Sequence, residues 1–104
     1  MHIQLNTDRH ITGSAELTAQ ATTVVEAALT HFSPQITRVE IHLSDENGAK
    51  AGAPDIRCLI EARLEGRPPI VAKHQAAKVV DALEGAADKL KRSIDSSLGK
   101  LRTH

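Results

Sequence analysis

The sequence predicts one α+β domain with the element order β-α-β-β-β-α, in which two helices pack on one face of a four-stranded sheet. Three stretches alternate apolar with polar residues, as half-buried strands do. Two longer stretches repeat apolar residues every three or four positions, as amphipathic helices do. The chain has 104 residues without a visible repeat or low-complexity segment, which suits a single domain over residues 1–104.

The first half of the chain predicts a strand, a helix and a longer strand. Residues 3–6 alternate and predict a short first strand. Ser14 is of a type that caps helices, and the apolar spacing after it predicts a helix from about residue 15 to residue 31. Ser33-Pro34 ends this helix, because the residue before a proline disfavours helical backbone. Residues 36–44 alternate cleanly and predict the second strand.

The second half predicts two strands and a long helix. Apolar and polar residues alternate over residues 56–65, with Leu59 as the exception. A short fourth strand at residues 70–73 follows Pro68-Pro69, which lack the N–H that a central strand donates. From about residue 75 to 102 the spacing is helical. The apolar stripe of this helix consists of Val80, Leu83, Ala87, Leu90, Ile94 and Leu101, with Val79 and Leu98 at its margins.

Composition and charge exclude several classes of protein. Basic and acidic residues number 13 each, so the chain is not uniformly basic, but residues 1–52 carry −3 and residues 53–104 carry +3. Cys58 is the only cysteine, so no disulfide forms within the chain, and its place on the apolar face of the third strand predicts a buried, inert thiol. No apolar run has the length of a membrane span, and the N-terminus does not resemble a signal peptide, which predicts the cytoplasm.

The last helix separates its charges. At 100° per residue with Lys78 at 0°, the apolar stripe centres near about 150°, and three further cations lie within about 40° of Lys78. This basic stripe consists of Lys78, Lys89, Arg92 and Lys100. The acidic residues Asp81, Glu84, Asp88 and Asp95 lie on a flank between roughly 240° and 300°. The basic stripe can follow a phosphate backbone; the alternative is a solvated helix face whose cations pair with the acidic flank.

Several segments resemble a known family. Residues 82–90 read ALEGAADKL, which is similar to a family segment Ala-Ile-Asp-x-Leu-x-Asp-Lys-Leu that precedes spaced arginines and lysines. Further matches are Ala15-x-Leu17, Leu29-x-x-Phe32 and Ile36-x-x-Val39. Together with the element order and the length, they resemble the ribosome hibernation-promoting factor family, also called ribosome-associated inhibitor A, protein Y or the sigma-factor modulation proteins.

The resemblance implies a fold like a double-stranded RNA-binding domain with an extra strand, in the short form of the family. It implies a non-catalytic protein, with no cofactor, small-molecule substrate or membrane partner. Such a protein binds the small ribosomal subunit and its rRNA, in the channel for mRNA and tRNA, and inhibits translation under stress or in stationary phase. Family members use basic residues on both helices, so Lys78, Lys89, Arg92 and Lys100 become candidates for contacts with the rRNA backbone.

Other functions compete with this one. The first helix has no lysine or arginine, whereas typical family members are basic there, which favours a regulatory protein-interaction module of the same fold with weak or no rRNA affinity. For an enzyme or a metal site, the six histidines form no His-x-x-x-His pair, and no phosphate-loop or nucleophile motif is present. Arg57 and Arg63 share a predicted sheet face with Glu61 and Glu65, which predicts ion pairs there.

Overall fold

Four strands, two α-helices and one 3-10 helix make up the computed structural model, which describes residues 1–48 and 54–102, with side chains described up to residue 99. In chain order they are β1 (His2–Thr7), α1 (Ala15–Leu29), the 3-10 helix (Thr30–Gln35), β2 (Ile36–Asp45), β3 (Ile56–Leu64), β4 (Ile70–Ala76) and α2 (Val79–Arg102). The predicted order β-α-β-β-β-α is confirmed.

The strands form one sheet in the order β1-β2-β3-β4. β1 pairs with β2 in parallel, whereas β2 with β3 and β3 with β4 are antiparallel. A parallel pair needs a crossover connection, and α1 supplies it. α2 follows β4 and contacts β3, β4 and α1, so both helices cover the same face of the sheet.

The core lies between the sheet and the helices and is almost entirely aliphatic. The strands contribute Val39, Ile41 and Leu43 from β2 and Cys58, Ile60 and Ala62 from β3. The helices contribute Val25 and Leu29 from α1 and Leu83, Leu90 and Ile94 from α2. Full burial of each large aliphatic side chain stabilises the fold by about 1.5–3 kcal/mol. The apolar residues of the strands and helices therefore hold the sheet and the helices together.

α1 ends earlier than the apolar spacing predicts. It stops at Leu29 rather than His31, and residues 30–35 continue as a 3-10 helix that contains Pro34. The tighter turn places the ring of Phe32 in the core with 2% exposure. Proline fits in this short segment because its fixed φ suits helical backbone. Pro34 therefore lies inside a 3-10 helix instead of ending an α-helix.

The boundary between β4 and α2 lies further along the chain than predicted. β4 extends beyond residue 73, because its ladder with β3 continues to the pair Ile56–Ala76. α2 consequently begins at Val79 rather than near residue 75. Pairing with a neighbouring strand here outweighs the helical spacing of the apolar residues.

The buried face of α2 is turned slightly from the predicted stripe. Ala82 and Ala86 are fully buried, while Val80 is only half-buried. Leu98 belongs to the core rather than to its margin, and the side chain of Leu101 lies outside the described residues. Because alanine side chains are short, the helix backbone comes close to the sheet at these positions.

Candidate nucleic-acid interface

Exposed cations lie along one side of α2. The predicted helix included Lys78, but in the structure Lys78 lies directly before α2, where its carbonyl oxygen accepts a hydrogen bond from the N–H of Ala82 at 3.0 Å. Lys89 lies within α2, on the side next to β4. Arg92 lies about 60° further round. All three residues are exposed. Lys100 belongs to α2, but its side chain lies outside the described residues.

Lys89 is anchored at the edge of the sheet. Its Nζ donates a hydrogen bond to the backbone carbonyl oxygen of Lys73 in β4, at 3.2 Å. The carbonyl carries no formal charge, so the ammonium is not neutralised, and two more of its N–H groups stay available. The side chain is thus held in place with its charge open to an anion.

Arg92 forms an ion pair within α2. Its Nη2 lies 3.0 Å from Oδ2 of Asp88, and the two side chains are 79% and 53% exposed. Exposed pairs with this i,i+4 spacing contribute only about 0.3–0.5 kcal/mol, so a phosphate can replace the carboxylate. The alternative of pairing with the acidic flank therefore applies to Arg92, whereas the side chain of Lys78 makes no hydrogen bond or ion pair within the described part of the chain.

Acidic residues of α2 lie on its other side, toward α1. Glu84, Asp88 and Lys91 line a groove of about 460 Å³ between the two helices. The α1 wall of this groove has no basic residue over residues 15–29. Lys89 next to β4 and the carboxylates next to α1 thus face different directions, and Lys91 is the one cation among the described residues that line the groove.

The face of the sheet opposite the helices carries ion pairs. Arg63 contacts Glu61 at 3.4 Å, as the alternation along β3 predicts. Arg57 instead contacts Glu46, which follows β2, at 3.5 Å. The prediction for Glu65 is wrong, because it lies in the turn after β3 rather than on the sheet face. Such exposed pairs stabilise the fold little.

A cleft that the sequence did not reveal lies at the free edge of β4. It has a volume of about 370 Å³ and is lined by Arg57, Lys73, His74, Gln75 and Lys89. We call it the β4-edge cleft. The signal for it was the alternation continuing past residue 73, with Ala72, His74 and Ala76 on one face and Lys73 and Gln75 on the other. The helical spacing that follows obscured this signal.

Two aspartates that the structure places near the end of β2 organise loops. Asp8 accepts hydrogen bonds from the N–H groups of His10, Ile11 and Asp45. Asp45 accepts from the N–H groups of Asn47, Gly48 and Asp55. Desolvation raises the pKa of Asp45, but these three donors, together with the nearby His10, outweigh it and hold the pKa below its ordinary value. Both carboxylates therefore hold the backbone of the neighbouring loops in place through hydrogen bonds.

Among the described residues, Cys58 lies in the core and the histidines join no cluster of metal ligands. Cys58 is fully buried, as its position in the alternation predicts. Burial raises the pKa of its thiol to about 12. In residues 1–48 and 54–102, no three histidine, cysteine, aspartate or glutamate side chains come together as metal ligands.

A family model described as sigma 54 modulation protein / S30EA ribosomal protein matches residues 6–102. The chain belongs to this family. The resemblance to the protein Y and sigma-factor modulation family is thereby confirmed. No curated protein sequence matches this S30EA family member significantly.

Two solved structures share the fold of this S30EA family member. The crystal structure of the protein Y N-terminal domain from Thermus thermophilus has a TM-score of 0.73 at 15% identity and covers 92% of this chain and 98% of that chain. A ribosomal subunit interface protein from Coxiella burnetii has a TM-score of 0.65 at 16% identity and covers 100% of both chains. At these identities the likeness shows the fold alone.

Within the described residues, neither helix combines the length and apolar character needed to cross a membrane.

Proposed function

We propose that this protein acts in the cytoplasm as a non-catalytic factor that binds the small ribosomal subunit through its rRNA and inhibits translation under stress or in stationary phase. Family membership and the names of the two structural neighbours support a ribosomal partner. The observation that carries the proposal is that Lys78, directly before α2, and Lys89 and Arg92 within it are all exposed on a chain of zero net charge.

The α2 cations supply a phosphate-binding surface without making the chain basic overall. Lys78 and Lys89 are separated by about 16 Å along the helix axis, which is long enough to contact more than one phosphate of an RNA strand. Each phosphate that a cation neutralises releases counterions, which favours binding at low salt. Lys100 would continue the same surface by one more contact.

Inhibition would follow from occupancy alone. Contacts with the phosphate backbone fix position and orientation but carry no sequence information. A domain held by such contacts can therefore occupy a channel without recognising the bases that line it. A bound domain in the mRNA and tRNA channel excludes both ligands. No covalent step and no cofactor enter this mechanism.

Sedimentation with purified small ribosomal subunits at low salt tests the proposal. The double variant Lys89→Gln/Arg92→Gln should bind at least about tenfold more weakly, because it removes charge-assisted hydrogen bonds. The control Lys91→Gln/Arg63→Gln loses the same charge from the α1 side of α2 and from the open sheet face, and should bind as the wild type does. Equal binding of the double variant and the wild type would rule out this surface.

The bare α1 favours a second candidate, a protein-interaction module of the same fold. α1 has no lysine or arginine over residues 15–29, so this helix offers no cationic side chain to a phosphate. If the wild type fails to sediment with small subunits, and a pull-down retrieves one defined protein without ribosomal components, this second function replaces the first. Inhibition of a cell-free translation reaction by the wild type would support the first.

A further inference from the structure

β4 is an edge strand whose outer edge faces cations. No described strand pairs with that edge. The carbonyl oxygen of Lys73 points outward, because it accepts a hydrogen bond from Lys89 at 3.2 Å. In an antiparallel strand the N–H and C=O of one residue point to the same side. The N–H of Lys73 is therefore a further donor at the β4-edge cleft.

The charge of the cleft selects an anion. Arg57, Lys73 and Lys89 each contribute a cationic side chain, and none of the described lining residues is acidic. The acidic group paired with one of these cations is Glu46, which meets Arg57 at 3.5 Å, with both side chains partly exposed. A pair this long and this exposed is weak, so an anion entering the cleft can replace Glu46.

Gly85 of α2 holds His74 in the wall of the cleft. His74 lies on the inward face of β4, and a Cβ at position 85 would lie 2.1 Å from its imidazole Cδ2. The imidazole ring thus occupies the space that the side chain of any larger residue at position 85 would fill. A ring nitrogen that carries its proton can then donate from a constrained position.

We propose that the β4-edge cleft binds a phosphodiester group of single-stranded RNA. This inference rests on the proposed function and extends the basic surface of α2 around the edge of β4, with Lys89 shared between the two. The volume of about 370 Å³ accommodates a phosphate with its neighbouring sugar atoms. His74 is the one ring among the described lining residues and it packs on Gly85, so the cleft lacks a platform for stacking a base. The contact is therefore independent of base identity.

NMR titration of the ¹⁵N-labelled full chain at constant ionic strength tests the site. The probes are uridylyl-uridine, which has one phosphodiester, and uridine, which has none. The dinucleotide should shift the amide signals of Lys73 and Gln75, and uridine should leave them unchanged. Lys73→Gln, at an exposed position, should weaken dinucleotide binding about tenfold. Arg63→Gln removes an exposed cation of the same sheet outside the cleft and should not weaken it.

The outcomes separate this site from the proposed function. Equal shifts with uridine, or unchanged dinucleotide binding by Lys73→Gln, would overturn the cleft as a phosphodiester site. If the wild type sediments with small subunits while the dinucleotide leaves the cleft signals unmoved, the cleft inference is wrong and the proposed function stands. If the dinucleotide binds in the cleft and small subunits do not bind, the cleft is supported and the proposed function is wrong.

Discussion

Among single residues, Cys58 shows how burial decides the chemistry of a side chain. Its exposure is 0%, and desolvation raises the pKa of its thiol from the ordinary 9.0 to about 12. The thiolate is the reactive form of cysteine. Cys58 therefore keeps its proton at neutral pH and acts as a small apolar residue of the core.

Cys58 should make the fold less stable at alkaline pH. Between pH 9.0 and about 12 the unfolded chain loses the thiol proton while the folded chain keeps it. The free energy of unfolding then falls as the pH rises, by at most about 1.4 kcal/mol per pH unit. Urea unfolding followed by circular dichroism should show a steeper loss for the wild type than for Cys58→Ala above pH 9. Parallel pH profiles would contradict the burial of the thiol.

The imidazole of His74 packs against Gly85, so the residue at position 85 must be small. Alanine normally stabilises a helix by about 1 kcal/mol relative to glycine. At position 85 its Cβ would lie 2.1 Å from the ring of His74, so Gly85→Ala should instead destabilise the fold. In a His74→Ala background the same change should become stabilising.

Thermal unfolding of the four members of this double-mutant cycle measures the coupling directly. Gly99→Ala is the matched control, because a Cβ at Gly99 meets no atom within 4 Å, and it should stabilise in both backgrounds. If Gly85→Ala raises the melting temperature with His74 present, the ring does not pack on α2 as described.

At the scale of elements, the two helices begin and end for different reasons. α1 begins where Ser14 accepts a hydrogen bond from the N–H of Leu17 through its hydroxyl oxygen at 3.0 Å, which is a local capping contact. α2 begins only where the ladder between β3 and β4 stops, at Ala76. The first boundary is therefore readable from neighbouring residues, and the second depends on a partner strand.

Removing the cap of α1 should weaken the fold by a modest amount. Ser14→Ala should cost about 1 kcal/mol of stability, because the N–H of Leu17 loses its partner. Ser14→Asp should retain the cap, since a carboxylate also accepts this hydrogen bond and interacts favourably with the helix dipole. Ser93→Ala, at an exposed position inside α2, is the control and should cost nothing. Urea unfolding curves that rank the three variants otherwise would refute this assignment.

Considered as a whole molecule, the protein has no net charge, but its charges are unevenly distributed over the surface. Lys89 of α2 lies with Arg57 and Lys73 at the edge of β4, and Glu84 and Asp88 of the same helix line the groove toward α1 beside Lys91. Local charge rather than net charge governs attraction to a polyanion, because salt screens distant charges over about 8–10 Å. A net charge of zero is therefore compatible with RNA binding.

Binding to small subunits should weaken as salt rises. If Lys78, Lys89, Arg92 and Lys100 each neutralise one phosphate, the logarithm of the binding constant should fall with the logarithm of salt concentration with a slope of about −3. The variant Lys89→Gln/Arg92→Gln should roughly halve this slope. A salt series of sedimentation experiments measures both values, and a flat wild-type profile would contradict backbone binding through α2.

Much of the fold was predictable because it depends on short-range patterns. The alternation along β2 and β3 predicted their buried faces. The end of α1 was mispredicted because the core admits Phe32 only through a 3-10 turn. For the candidate site, the sequence predicted the cations of the last helix as RNA contacts, and this stays a prediction, whereas the cleft that Lys73 lines depends on β4 and α2 meeting at the edge of the sheet.

The sequence by itself determined the element order, the apolar faces and the family, since each is carried by residues a few positions apart or by a local motif. Tertiary structure alone decided the length of β4, the pairing of Arg57 with Glu46 and the β4-edge cleft. Each of these needs residues that are distant in the chain, such as Lys73 and Lys89, to meet across two packed layers. Local periodicity contains no information on these long-range contacts, because strand pairing and helix packing determine which residues come together.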